Sequence, residues 1–447
     1  MEDTFRGIGS FSKNATDFVH AGVDIFTEPL VERSSKFCRE SVHRPVSENP
    51  DGPYEFYLPA ENNTYIDCEG FRLTGYVSMT KTKDGKETNV ETADDAAPIN
   101  FLPGAAWSMK EVFFNGALVN YVTQPFDNIK AYIETKLTYG KDIGESVLQG
   151  TSLWEPSQDD YKAASATNAG HKKRVALFQD GKKRSFCIPL QLDVLNTERF
   201  LPNNLDLNIR LTRANDKFLV HAKEDKGYKI KFHDLKLISR RVTIDEAVLK
   251  DHESRFKGGQ EAIFPFVRTD IKVFNIPSGS SEARTNSIYR KKIPTSAIIA
   301  FLENDALTGN VKKDPLHFKN FGISEVGFFC NSEKICSYEQ NYENKDYAAS
   351  YRRFQDEIGV KTNNIGNRIS AEEWAEHFNV YPFDFSPDKC TGFHDHMDLS
   401  GNLDFVVRFK TATDKVLSMI ILTHYDDQIR LDEARNVVSR GNPTEVA

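Results

Sequence analysis

The sequence has no excess of positive charge. Its 57 lysines and arginines stand against 65 aspartates and glutamates, a formal net charge of −8, so it offers no overall basic field to draw in nucleic acid. It has no CxxC pair among Cys38, Cys68, Cys187, Cys330, Cys336 and Cys390, which excludes a zinc ribbon or a thioredoxin-type site. Cys330 and Cys336 flank a turn where they can face each other, but free thiols of a reducing compartment are the expectation. It has no long hydrophobic run: VLSMIIL near the C-terminus is far short of the ~20 apolar residues a membrane helix needs. The opening MEDTFRGIGS is acidic and polar, unlike a signal peptide. The expectation is a soluble protein made inside the cell, with Asn14-Ala-Thr and Asn62-Asn-Thr as chance matches to a glycosylation acceptor. Phosphate-loop, GxGxxG, HExxH and GxSxG motifs are missing too, and nothing nominates a nucleophile with its base. No enzyme and no cofactor are expected.

What is present is phenylalanine, 32 residues of it, which suits strands and large buried contacts. There is also an internal repeat. NLDLNIRLTRANDKFL at 204–219 matches NLDFVVRFKTATDKVL at 402–417 in register. Both alternate apolar and polar residues, as half-buried strands do. Upstream, Ile188-Pro-Leu-Gln-Leu-Asp resembles Tyr381-Pro-Phe-Asp-Phe-Ser, where proline suits a strand start or a sheet edge. Val112-Phe-Phe-Asn-Gly resembles Gly327-Phe-Phe-Cys-Asn, and Asn115-Gly116 is a hairpin signal. A helix follows each hairpin. In the first, Asp127 is the expected cap, Gly140 the stop, and Phe126, Ile129, Ile133 and Leu137 one face; in the second, Asp346 is the cap and Gly359 the stop. Many short strands between turn signals indicate sandwiches or jelly rolls. The expected division is an arm over 1–50, a first unit over 51–244, a polar linker helix over 245–260 ending in Gly258-Gly259, and a second unit over 261–447. The arm shows little alternation and would order by packing on a neighbour or on its own base.

Three groups of residues invite a chemical reading. His394, Asp395, His396 and Asp398 crowd into TGFHDHMDLSG, a loop whose counterpart in the first unit, NTERFLPN, has no histidine. Imidazole and carboxylate suit zinc, yet side chains packed this closely rarely converge on one ion. A solvated loop is the first reading, with an adventitious metal or an inter-subunit contact behind it. The basic clusters His171-Lys-Lys-Arg174 and Lys182-Lys-Arg184 read as a surface loop, ahead of a nucleic-acid contact or import signal. The acidic pairs Asp159–Asp160 and Asp426–Asp427 read as loop or strand-end residues. Asp206 and Asp404 recur at matching places in the two copies, which points to structural roles, not to the paired carboxylates of a glycosidase.

Taken in order along the chain, VDIFTEP, PYEFYLPAENNTYIDC, FFNGALV with AYIETKLTYGKD, RFLPNNLDLNIRLTR, FLENDALTG with DPLHFKNF, and YDDQIRLDEARNV resemble the double-jelly-roll major capsid proteins of Polinton/Maverick elements and the related adintoviruses. The resemblance runs from about residue 20 to the C-terminus. It implies an all-β fold of two tandem eight-stranded antiparallel β-sandwiches with short inserted helices. It also implies a homotrimer with a pseudo-hexagonal outline, tiling an icosahedral shell around double-stranded DNA in a virion assembled inside the host cell. Its partners would be other copies of itself, penton and minor capsid proteins, and packaged DNA only weakly or indirectly, with no membrane span. A jelly-roll carbohydrate-binding protein and a host-domesticated capsid-derived protein are the alternatives.

Overall fold

The computed structural model describes residues 31–47, 52–120, 124–156, 168–330, 333–359, 366–387, 389 and 399–439. The strands of its first half are β1 (Ser35–His43), β2 (Tyr54–Leu58), β3 (Thr64–Lys83), β4 (Lys86–Asn89), β5 (Ala96–Pro98), β6 (Trp107–Phe114), β7 (Ala117–Leu118), β8 (Arg184–Pro189), β9 (Leu207–Arg213), β10 (Val220–Ala222) and β11 (Lys229–Ile244). Those of the second half are β12 (Ala262–Ile276), β13 (Glu282–Tyr289), β14 (Ser296–Glu303), β15 (Ile323–Cys330), β16 (Glu333–Glu339), β17 (Val380–Asp384), β18 (Leu403–Phe409), β19 (Leu417–Leu431) and β20 (Val437–Ser439).

In the second half one sheet runs β12-β19-β14-β17 and the facing one β13-β18-β15-β16, with β20 added beside β19. Counting β12 to β19 as strands 1 to 8, the orders are 1-8-3-6 and 2-7-4-5, which is the double Greek key of a jelly roll. The first half repeats it: β1-β11-β3 with β8 beside β3, facing β2-β9-β6-β7. Its additional strands are β4, which extends β3 as a hairpin, and the small β5–β10 pair. The fold is all-β, two jelly rolls in tandem.

β1 falls within the stretch read as an arm. It pairs along its length with β11, from Ser35 opposite Ile244 to His43 opposite Leu237, so the first sandwich takes in a strand that a boundary at residue 51 leaves out. The physical reason is that β1 is an outer strand exposed on both faces, with Phe37 63% and Val42 59% exposed; a strand with no buried face carries no alternation.

Local chemistry accounts for the turns. Asn115 and Gly116 have φ of +46° and +78°, the left-handed pair that a tight hairpin needs and that Asn-Gly tolerates. Pro189 ends β8 and Pro382 lies inside β17, and each strand is bonded on one side only; both prolines therefore mark sheet edges, where a missing N–H costs nothing. The linker helix is Glu246–Lys257, capped by Asp245, whose carboxylate accepts from Ala247 N at 2.8 Å. The two hairpin helices, Asp127–Thr138 and Ala348–Glu357, begin one residue after Phe126 and Tyr347. Asp127 and Asp346 do not cap them. Asp127 instead accepts from Lys110 N at 2.8 Å, and the backbone of Asp346 bridges to Asn341. A strand amide and a turn outcompete the helix end for these residues.

Burial follows the alternation. Leu207, Ile209 and Leu211 of β9 and Leu403, Phe405 and Val407 of β18 are fully buried, as are Ile129 and Ile133 of the first hairpin helix. Each such side chain contributes about 1.5–3 kcal/mol. The core is continuous from one sandwich into the other, which sets up a seam between them.

Candidate functional site

The seam is the most chemically loaded part of the molecule. The inward alternation of β6 places Lys110 on the same face as Val112 and Phe114, and the helix Asp127–Thr138 lays Asp127, Lys130 and Glu134 beside it. Lys130 makes an ion pair with Asp193 and lies 3.9 Å from Glu134. The second oxygen of Asp193 accepts from Thr269 N of β12 at 2.8 Å. His424 of β19 closes the row, 3.9 Å from Glu134 and 2.8 Å from the hydroxyl of Ser296. First-sandwich charge thus meets second-sandwich backbone and imidazole.

Burial governs protonation here. It pushes Glu134 up to about 7 against the pull of Lys130, and it raises Asp127 as well. It lowers Lys110. It holds His424 down at about 4, where the Lys130 charge adds to the effect. Asp193 goes the other way: burial would raise it, but Lys130 and the Thr269 amide hold it below the ordinary carboxylate range. His424 and Lys110 are thus both shifted toward their neutral forms, because burial outweighs the neighbouring carboxylates.

Further contacts lock the sandwiches. Lys136 reaches Glu373 at 2.6 Å, and Tyr132 packs its ring 6.4 Å from both Phe318 and Phe378. Arg435, 3% exposed, donates to Asn203 O and Oδ1 at 3.2 and 2.9 Å and lies 4.1 Å over the Phe256 ring. An open cleft of about 1070 Å3 runs along the seam, with Glu134, Asp193 and His424 on its walls. These groups bind one another.

The residues singled out in the sequence are dispersed. Among the described residues no cluster of His, Cys, Asp or Glu has metal-holding geometry; His394, Asp395, His396 and Asp398, with Cys390 and the pair Asp159–Asp160, lie outside the described residues. The cluster His171–Arg174 is not a loop. It opens the helix Ala169–Phe178, capped by Asn168. His171 and Arg174 are buried, His171 against Asp95 O at 3.1 Å and Arg174 donating to Pro98 O at 3.0 Å, while Lys172 and Lys173 face water. The helical period separates the four side chains onto two faces, which a run of basic letters conceals. Lys182 and Lys183 are exposed, and Arg184 turns back to Leu177 O. Asp427 is half-buried, in an ion pair with Arg268 at 2.8 Å within the sheet. Cys330 and Cys336 are free thiols, and the register sets them against Glu333 and Phe328, not against each other. Asp206 and Asp404 do the same work twice: each accepts a backbone amide at the neighbouring strand, Ala60 N at 2.7 Å after β2 and Ser287 N at 2.6 Å in β13.

The seam network was not found from sequence, because Lys130, Asp193, Thr269 and His424 are far apart in the chain. One signal was present: Lys110 occupies an inward position of an alternating strand, and a charge there demands partners.

No family model matches the chain. An uncharacterized protein of Caenorhabditis elegans is 22% identical over 400 residues, covering 87% of this chain and 93% of that one. Among solved structures, a chain of the Sputnik virophage particle superposes with a TM-score of 0.59 at 11% identity, over 97% of this chain and 94% of that one. The mavirus major capsid protein gives 0.53 at 12% identity over 98% of both chains, and the PBCV-1 virus capsid gives 0.55 at 9% over 92% and 99%. The likeness spans both jelly rolls end to end and shows the fold.

Proposed function

We propose that this chain is a viral-type major capsid protein, a structural building block and not an enzyme. The observation that carries the reading is the whole-length double jelly roll: two units with one strand order, fused along a buried seam, matching capsid proteins over nearly all of both chains. In this reading the N-terminal arm, the first jelly roll, the linker over 245–260 and the second jelly roll form one subunit. Three subunits close into a trimer with a pseudo-hexagonal outline, since six similar units suit a closed three-fold ring. Trimers then tile an icosahedral shell of a virion assembled in the host cell, with a penton protein at the vertices and double-stranded DNA inside. The sequence resemblance to Polinton/Maverick and adintovirus capsid proteins supports that lineage.

One surface feature favours assembly. Phe37 and Val42 on β1, and Ile263 and Val267 on β12, are exposed apolar residues on the first strand of each sandwich, where a neighbouring copy would cover them. The −8 charge leaves DNA contact weak or indirect. The test is light scattering with negative-stain imaging. Three chains of 50.7 kDa give a particle of about 152 kDa with a hexagonal projection, or closed shells under assembly conditions. A monomer that persists at micromolar concentration across salt and pH rejects the proposal.

A further inference from the structure

The seam closes one face of the second sandwich, and the matching face of the first is open. The edge prolines fix the comparison: Arg72 of β3 stands opposite Pro189, and Ile298 of β14 stands opposite Pro382. The row Val42, Ile238, Arg72, Pro189 crosses β1, β11, β3 and β8. Its counterpart Ile271, Leu422, Ile298, Pro382 crosses β12, β19, β14 and β17. Further along the strands, Thr74 and Tyr76 match Ala300 and Leu302. Side chains opposite one another, or two apart on a strand, share a face. The intervening Leu73 is a core residue, so this is the outer face of the sheet.

In the second sandwich Ile271, Leu422, Ile298, Pro382, Ala300 and Leu302 are all buried. The first sandwich covers them. Asp193 takes the Thr269 amide and Glu134 stands beside His424 at one end, and Leu302 shares a cavity wall with His221 at the other. In the first sandwich no described residue closes the same face. Val42 is 59% and Tyr76 45% exposed, Pro189 is exposed, and Ile238, Thr74 and Cys187 are half-buried. The other side of the seam has an uncovered counterpart too. The helix Asp127–Thr138 buries every residue from Asn128 to Ile133 and sets Tyr132 against Phe318 and Phe378. The helix Ala348–Glu357 buries only Ser350 and Phe354, which match Ile129 and Ile133 when the two helix starts are aligned. Only its core-facing stripe is covered.

We infer that the outer face of β1, β11, β3 and β8 seats the second sandwich of another copy of this chain, as the outer face of β12, β19, β14 and β17 seats the first sandwich of its own. Within one chain the second sandwich is already committed to the seam, so the missing occupant comes from a neighbour. The contact is head-to-tail: one copy offers its sheet, the next its hairpin helix. Repeated contacts of that kind close into a ring, and the number of copies, three, rests on the capsid reading. The seam inside the chain is then the pattern for the contact between chains. Apolar Val42, Ile238 and Tyr76 lose water in it, while Arg72 with Glu40 and Arg240 with Asp67 bring their charges already paired.

Alkylation of Cys187 in the full-length protein, read by mass spectrometry over a dilution series with light scattering alongside, tests this. Cys187 lies on the open face opposite Thr74. It should react in the dilute monomer and lose reactivity roughly tenfold as the trimer forms. Val42→Lys and Tyr76→Lys, at exposed positions that folding tolerates, should each raise the half-assembly concentration about tenfold or more by placing a charge in an apolar contact. Val416→Lys, exposed in the turn before β19, should leave it unchanged. A trimer in which Cys187 stays as reactive as in the monomer, with both face variants assembling like Val416→Lys, overturns this face and leaves the capsid reading standing. A wild type that stays monomeric at every concentration overturns both. Cys187 already closed in the dilute monomer assigns the face to a segment of the same chain, and that also overturns the inference.

Discussion

In the second sandwich Phe328 is ringed by aromatics: Phe383 at 4.9 Å, Phe385 at 5.2 Å and Phe405 at 5.2 Å between centroids, all near edge-to-face. In the first, Phe114 pairs with Leu207 across the sheet, as Phe328 pairs with Phe405. The positions of Phe383 and Phe385 are held there by Leu190 and Leu192, both buried. Three leucines in one copy thus stand where three phenylalanines stand in the other. The first sandwich gathers its rings elsewhere, around Trp107 with Tyr54 and Phe232. What the copies share is strand order and the direction each side chain points, and either aliphatic or aromatic filling satisfies that pattern.

The largest expected effect breaks this comparison at its centre. Phe328→Ala should cost about 4–5 kcal/mol and Phe114→Ala about 3 kcal/mol, since Phe328 loses ring pairs worth ~0.5–1.5 kcal/mol each beyond their area. Denaturant unfolding of both variants gives the ranking; equal losses would mean that the ring cluster adds nothing to simple burial. Phe328→Leu, which imports the first sandwich's style, should fall well below Phe328→Ala.

The hairpin helices differ next. The helix Asp127–Thr138 sends Lys130 into the seam, whereas the helix Ala348–Glu357 keeps Arg352 paired to Asp356 at 2.8 Å on its own exposed surface. Lys130→Met should cost about 3 kcal/mol by stranding Asp193, and adding Asp193→Leu should recover most of it. Asp356→Ala should cost under about 1 kcal/mol. A Lys130→Met loss as small as that of Asp356→Ala would show the seam to be hydrated and its charges independent.

Acid should act on the seam more than on the sandwich interiors. Burial holds His221 at about 3, and His317 and His424 at about 4, against an ordinary 6.5. The unfolded chain takes up these protons first, so stability falls as pH drops from about 6.5 toward 4, by up to about 1.4 kcal/mol per pH unit for each histidine. Glu134 works with opposite sign. Its pKa of about 7 means the folded state holds the proton, and its contribution is lost as pH rises from about 4.5 through 7. Unfolding free energies measured from pH 4 to 8 should slope upward on the acid side, and His424→Gln should flatten that slope.

The repeat in the sequence made the tandem architecture legible, since the same strand, hairpin and helix recur in order. Short phrases proved a poorer guide to register. The likeness of Val112-Phe-Phe to Gly327-Phe-Phe aligns Phe113 with Phe328, but the structure equates Phe114 with Phe328, because both face the core opposite Leu207 and Phe405. A slip of one residue exchanges the faces of a strand, and adjacent phenylalanines hide it. β1 was hidden for another reason, its exposure on both faces. The seam charges were hidden because they are made by residues brought together only when the two units dock.

The smallest effect tests the pair that the repeat predicted best. Asp206 and Asp404 occupy matching positions and each accepts one backbone amide, and truncation of Asp206 to alanine should cost about 1 kcal/mol. The surroundings separate them. Asp206 receives Ala60, which is exposed and can turn to water. Asp404 is only 16% exposed and receives Ser287, a non-glycine residue at φ +49° inside the irregular stretch where β13 shifts register against β18. Removing that acceptor leaves a left-handed serine to bear its own strain, so Asp404→Ala should cost about twice as much as Asp206→Ala. Ser287→Gly, which relieves the strain, should narrow the gap when placed in the Asp404→Ala background. If the two aspartates prove equal even with serine in place, the bulge is held by its sheet neighbours, and the shared carboxylate is a strand-end cap in both copies with no added role in the second.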